Sequence, residues 1–452
     1  MLIAFTSLPG FVTLVFRGMP TVWRGRHRLI FCWLIFMQAV HPGRKTLAEM
    51  ARWTPATITA WRFGRVLKAA YWNVHLLVSW LAQDLLVTLP PPANGILSLF
   101  GDDSHADKRG AKNPVAQKGR ISKHHPWFFG LRFVLLMAAW DDYRVPVGFR
   151  LILPKRHAAY RSENALFREM VEAFVPPRWA KLVIVGGDAA YASKANMRMV
   201  QDRDKADATR RWGFVFAIAR TWKTVEEKSL KNLVTHIPHK YYQCTRVPRA
   251  HGRKGRKTFW TYSTRLCLRH VGDVTVVLSK KGRNVSPQHT KILVTNLAAL
   301  TPSQVVCIYQ KRWAIELLHW ELKSGLGLGE HQVSGDTNRS EKSVGIAVLA
   351  YLLVMRVCHH EIVPGKPWSI FQLQHALRLR VMTNQVEHTV KVKMAKTRKA
   401  AKSRALRLQG VNSEYETASK SVHTRFIHST LRTRWYCALT RDTSVPMSCG
   451  LI

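Results

Sequence analysis

The sequence predicts an α/β protein: a mixed sheet with helices against it, a helical region before it and a β-rich stretch after its first part. Three observations carry this. Apolar runs of strand length at 131–140, 145–153, 182–185 and 213–219 crowd the middle of the chain. Between the second and third of them, apolar residues at Leu166, Phe167, Met170, Val171 and Phe174 recur at helical spacing. Before residue 90 the chain carries helix starts; after residue 220 it alternates.

A chain of 452 residues suggests two or three domains. Lys and Arg number 70 against 27 Asp and Glu, a formal charge of +43. That excludes an acidic metabolic enzyme and points to an anionic polymer or surface as partner, nucleic acid foremost. At 47% apolar residues, with 16 Trp, the chain has ample material for packed cores, which argues against a protein that is a disordered basic tail throughout. The seven cysteines are odd in number, widely spaced and without a CxxC pair. They read as reduced thiols of a cytoplasmic protein, with neither a disulfide framework nor a zinc site.

The elements follow in order. The apolar run 29–40 behind Arg24, Arg26, His27 and Arg28 is too short to span a bilayer and reads as a buried helix; membrane association is the lesser reading and rests on residues 1–40 alone. Residues 41–88 read as helices. Thr46 and Glu49 have capping-box spacing, Thr54-Pro55 ends the first helix, and a second starts near Ile58. Arg52, Arg62, Arg65 and Lys68 on these helices suit contact with DNA as well as a solvated basic face. Pro90-Pro91-Pro92 closes the region. The run 96–100 then ends at Asp102 and Asp103, 131–140 and 145–153 form a hairpin across Asp141–Arg144, 161–174 is a helix, and 182–185 stops at Gly186-Gly187-Asp188. Three strands followed by helix, strand, helix, strand is the order of an RNase H-like domain. Strands at 258–268, 274–278 and 291–296, with basic turns between, form a β-rich insertion; 302–322 is a helix. The expected boundaries are 1–90 helical and DNA-binding, 91–219 the first part of the core, 220–300 the insertion, 301–385 the C-terminal helices of the core, and 386–452 a basic tail. In that tail, 391–407 holds eight Lys and Arg and no acid.

In so basic a chain carboxylates are scarce, and Asp102 and Asp188 each stand where an apolar strand stops, the place where α/β sheets hold ligands. Two such carboxylates on neighbouring strands can share a divalent cation; alone, each reads more readily as a turn or cap residue. Tyr309, Arg312, Glu316 and Lys323 add a third element. At helical pitch all four fall within roughly 60° of arc, with a forked and a point-like cation for phosphate and a carboxylate between them. An i, i+4 ion pair of Arg312 and Glu316 explains only two of the four.

The segment YQKRWAIELLHWELK resembles the Y-R-E-K signature of bacterial insertion-sequence transposases of the DDE, cut-and-paste class. FGDDSHADKRG is similar to that family's first-Asp segment and VIVGGDAAYAS to its second, in the family's order, and the resemblance spans roughly residues 45–360. It implies Asp102, Asp188 and Glu316 as the catalytic and metal-holding triad, with Asp103 the alternative to Asp102. It implies Tyr309, Arg312 and Lys323 as DNA contacts. It further implies Mg²⁺, replaceable by Mn²⁺, as cofactor; transposon-end and target double-stranded DNA as partners of a homodimer; and a nucleoid-associated cytoplasmic location without stable membrane association. The runner-up is a catalytically inactive DNA-binding relative. GLGLG at 325–329 follows a helix, not a strand, and reads as its end; His359-His360-Glu361 and His124-His125 read as a helix terminus and a loop.

Overall fold

The computed structural model describes residues 5–20, 25–69, 71–110, 113–120, 127–249, 255–333, 335–363 and 365–407. The tail beyond 407, His124-His125 and Arg24 lie outside the described residues. The chain divides into two compact units, Met1–Met382 and Thr383–Ile452.

In the first unit α1 (Gly10–Val15), α2 (Gly25–Val40), α3 (Leu47–Arg52), α4 (Ala60–Lys68) and α5 (Val74–Thr88) precede the sheet. β1 (Ile96–Asp107), β2 (Gln117–Arg120), β3 (Trp127–Trp140) and β4 (Tyr143–Ile152) follow, then α6 (Glu163–Ala173), β5 (Leu182–Gly187), α7 (Lys194–Ala206) and β6 (Arg211–Ile218). Next come α8 (Leu230–His236), β7 (Gln243–Pro248), β8 (Arg256–Leu268), β9 (Gly272–Lys280) and β10 (Lys291–Thr295). The chain continues through α9 (Pro302–Lys311), α10 (Trp313–Trp320) and α11 (Thr337–Cys358) to α12 (Ile370–Arg407), which runs into the second unit.

The helix starts are written locally. Thr46 Oγ1 accepts from Glu49 N at 3.2 Å, but only half of the expected capping box forms, because the Glu49 carboxylate turns to Arg52 at 2.9 Å. The reciprocal box closes instead at Thr301 and Gln304, at the start of α9. Asn73, Ser162, Ser193 and Asp336 cap α5, α6, α7 and α11 through their side chains.

The ten strands among the described residues belong to one sheet, ordered β2-β3-β1-β5-β6-β10-β9-β8-β7, with β4 on β3. β1 runs antiparallel to β3 and parallel to β5; β5 and β6 are parallel; β10, β9, β8 and β7 continue antiparallel from β6. The β-rich stretch therefore extends the same sheet. The core sits under β4, where α11 packs together with α5, α2 and α4. α11 is long and apolar enough to cross a membrane by length and composition, yet 78% of its apolar window is buried by these neighbours. α2 is likewise enclosed, with every residue from Ile30 to Val40 buried. Gly345 lets α11 approach closely, since a Cβ there would strike Val74 and press on the Phe149 ring. On the other side α6 lies over β1, β3 and β4, with the Phe167 ring directly above Gly101, where no side chain fits.

Two expectations are corrected here. Asp102 is not at a strand end: β1 continues to Asp107, pairing along β3 from Asp102 opposite Leu135 to Asp107 opposite Gly130. Its apolar run stops because its other neighbour stops, the β1–β5 pairing ending at Phe100 opposite Gly186. Nor is 302–322 one uniform helix. The turn tightens at Arg312, where Arg312 N reaches Tyr309 O at 3.1 Å and Ile315 N reaches Arg312 O at 3.0 Å. It then widens into a π-helical turn over Glu321–Gly325, where Leu326 N reaches Glu321 O at 3.1 Å.

Candidate active site

The parallel register of β1 and β5 builds the site. Phe100 stands opposite Gly186, so two residues further along each chain Asp102 and Asp188 come level. Adjacent residues of a strand face opposite ways, and the two aspartates of β1 part accordingly. The Asp103 carboxylate is taken by Arg132 at 3.1 Å, whose other partner is Glu163 on α6 at 3.0 Å. Asp102 lies in the fields of Asp188 and Arg312. Burial first, then the Asp103 and Asp188 carboxylates, push the Asp102 carboxyl up to about 7, with Arg312 pulling the other way. Asp188 is turned by its own loop, Oδ1 accepting from Ala190 N at 2.9 Å.

α10 packs on β1 and brings Glu316. Arg312 Nη2 donates to Glu316 Oε1 at 2.6 Å, the i, i+4 pair expected from spacing. Tyr309 is buried, and its ring carries Arg312 at 5.9 Å and Lys291 at 4.9 Å from the centroid. Burial raises the Tyr309 phenol; Arg312 opposes that and Asp188 adds to it.

Lys323 falls within the wide turn after Glu321, where the uniform helical pitch no longer holds. Its Nζ lies 3.5 Å from His105 Nδ1, in the field of Asp107. The widening is anchored by a buried network: Arg144 Nε and Nη2 reach Glu321 at 3.1 and 2.6 Å, Ile370 N donates to the same carboxylate at 2.8 Å, and Tyr351 OH at 3.3 Å. The Arg144 guanidinium also lies 3.7 Å from the centre of the Trp368 ring. The site thus gathers Asp102, Asp188, Tyr309, Arg312 and Glu316, while Asp103 and Lys323 are engaged beside it.

Three further side chains lie at the site, two of them, His319 and Lys291, without a signal at the sequence level. His319 follows Glu316 by three residues and faces Asp102, Nε2 to Oδ2 3.9 Å, with burial pushing it down to about 3. Tyr191 buries its hydroxyl in the fields of Asp103, Asp102, Asp188 and Glu163. Lys291 is the third; only the sheet brings it near. The spacing of Tyr191 from Asp188 was visible, its orientation was not.

Among the described residues, no three His, Cys, Asp or Glu side chains are gathered closely enough to hold a metal ion together. The donor chemistry nevertheless fits a hard divalent cation. Burial, then the neighbouring Asp103 and Asp188 carboxylates, hold Asp102 towards its protonated form, and a cation bound there would relieve this.

The site therefore has carboxylates from two neighbouring parallel strands, with a third carboxylate and an arginine delivered by a packed helix. The family model described as "Transposase DDE domain" matches residues 102–353, more than half of the chain, from the first aspartate of the site to well inside α11. The chain belongs to that family: it is a DDE transposase. No curated protein matches it. Among solved structures, a piggyBac transposase synaptic complex with hairpin DNA aligns at 11% identity over 84% of this chain and 77% of that one, TM-score 0.42. Kluyveromyces polysporus Argonaute with a guide RNA aligns at 9% identity over 78% and 38%, TM-score 0.21. Neither superposition is close.

Proposed function

We propose that this transposase cleaves DNA at transposon ends and joins the freed 3′ ends to target DNA, the cut-and-paste route, as a member of the bacterial insertion-sequence group with the Y-R-E-K signature. The observation that carries this is the parallel β1–β5 register that levels Asp102 with Asp188 beneath α10. The strand order β4-β3-β1-β5-β6 supports an RNase H-like core for this chemistry, and α1–α5 supply the helical region proposed to bind DNA.

Asp102, Asp188 and Glu316 would hold Mg²⁺, or Mn²⁺ in its place; the ion would supply Lewis acidity to the scissile phosphodiester and to the attacking water or 3′-OH. Arg312 and the Tyr309 hydroxyl hold the phosphate next to the cut, the arginine with a forked pair of donors. Glu316, paired with Arg312, would be the third carboxylate to hold the ion. Lys323, beside His105 and Asp107, meets the duplex at a second point. The formal charge of +43 supplies affinity that falls steeply with salt. Two ends have to be brought together, so the working species is a homodimer on DNA, nucleoid-associated in the cytoplasm.

The test starts from the DNA flanking the coding region, searched for inverted repeats. Duplexes carrying those repeats are incubated with the full chain and Mg²⁺. Strand breaks at the repeat boundary are expected. Specific binding without cleavage under Mg²⁺ and Mn²⁺ would favour the inactive relative, and neither binding nor cleavage would overturn the proposal.

A further inference from the structure

We propose that Lys291 is a phosphate-holding residue of this site, forming one clamp with Tyr309 and Arg312 beside the bond to be cut; this rests on the transposase reading above. Lys291 opens β10, which runs antiparallel to β6 with Ile292 opposite Ile218. β6 is parallel to β5, with Phe216 opposite Gly187. The start of β10 therefore emerges at the same edge of the sheet as Asp188, two strands away.

The Lys291 ammonium lies 4.9 Å from the Tyr309 ring centre, and the Arg312 guanidinium 5.9 Å from the same centre. The ammonium also lies in the fields of Arg312, Asp188 and Glu316. Among the described residues no carboxylate comes within ion-pair distance of it, and the residue is exposed. Two cations held against one ring repel each other, and an anion placed between them removes that repulsion. A DNA phosphate is the anion this enzyme handles. Lys323, which spacing puts on the stripe of Glu316, lies against His105 and in the field of Asp107. The ammonium beside the cut is then that of Lys291.

The test compares two duplexes built from the flanking terminal repeat. One is native; in the other a neutral methylphosphonate replaces the phosphate adjoining the cleavage position. The wild-type chain is expected to bind the modified duplex about tenfold more weakly, the scale of one charge-assisted contact. Lys291→Gln is expected to bind the native duplex more weakly than wild type does and to lose part of the difference between the two duplexes, Arg312 keeping the rest. Lys291→Arg should restore the difference, and Lys323→Gln should keep it. If the Gln variant does not fold, Lys291→Met carries the same test. A Lys291→Gln protein that still discriminates like wild type overturns the clamp while wild-type cleavage leaves the transposase reading standing. A wild-type chain that neither binds nor cleaves the native duplex overturns that reading and the clamp together.

Discussion

Arg312 Nη2 sits 2.6 Å from Glu316 Oε1, so the carboxylate that α10 delivers to the site is held by the cation one turn before it. Removing the carboxylate and removing the cation should therefore fail differently. Glu316→Gln is expected to lower strand cleavage by about 10²-fold or more, the scale for loss of a charged group at a reacting centre, with end binding nearly unchanged. Arg312→Ala should weaken binding itself and make its salt dependence shallower by about one unit. Gel-shift titrations over a salt series, alongside a cleavage time course, separate the two; cleavage at wild-type rate by Glu316→Gln would remove it from the triad.

Asp102 and Asp103 can be told apart in the same assay. Asp102 meets the field of Asp188, whereas Asp103 is bound to Arg132. Asp102→Asn should abolish nicking and Asp103→Asn should reduce it much less. A larger loss at Asp103 would exchange their roles.

Two groups set opposite pH trends in the metal-free protein. The Asp102 carboxyl is raised to about 7 in the fold, so the folded state holds its proton over a window where the unfolded chain has released it. Stability from this group declines as pH rises from about 4 to about 7. Asp102→Asn, neutral throughout, should melt higher than wild type at pH 8 in EDTA, and not at pH 4. Adding Mg²⁺ should raise the wild-type melting temperature and leave the variant unmoved. His331 behaves oppositely. Burial, then the Lys108 charge, push it from 6.5 to about 3, so its contribution is complete above 6.5 and is lost as pH falls towards 3. His331→Gln should flatten that acid limb of the melting curve; an unchanged limb would refute the assignment.

The Arg144–Glu321 pair is 4% and 2% exposed. Glu321→Ala leaves a guanidinium buried without its partner and should cost about 3–5 kcal/mol in denaturant unfolding. Replacing both by leucine should come much closer to wild type. If the double variant loses as much as the single one, the pair has a role beyond mutual neutralisation.

What the sequence disclosed follows from what apolar patterning can disclose. The runs 131–140, 145–153, 182–185 and 213–219 became β3, β4, β5 and β6 because strands buried by helices read as apolar. β2, Gln117–Arg120, is polar and was invisible. The second half of β1 was missed because its pairing with β3 uses backbone groups under side chains such as Asp102, Ser104 and Asp107. The candidate carboxylates were visible as scarce residues beside strands, but their meeting depends on a parallel register that leaves no mark in either segment alone. Lys291 joins Tyr309 through the closure of β10 on β6, a tertiary event without local signature. The angular place of Lys323 was not legible, because a uniform 3.6-residue pitch does not hold across the π-helical turn, and Arg144, which binds Glu321 at that turn, lies far away along the chain.

The burial of α11 also fixes an order of assembly. α2 and α5 lie against it, yet roughly three hundred residues separate α2 from it along the chain, a very non-local pairing. During synthesis the apolar face of α2 leaves the ribosome long before its cover exists. The nascent chain therefore carries an unclosed hydrophobic segment through most of its translation, and a product ending before Thr337 keeps it open, exposed to aggregation and to the machinery that removes incomplete chains.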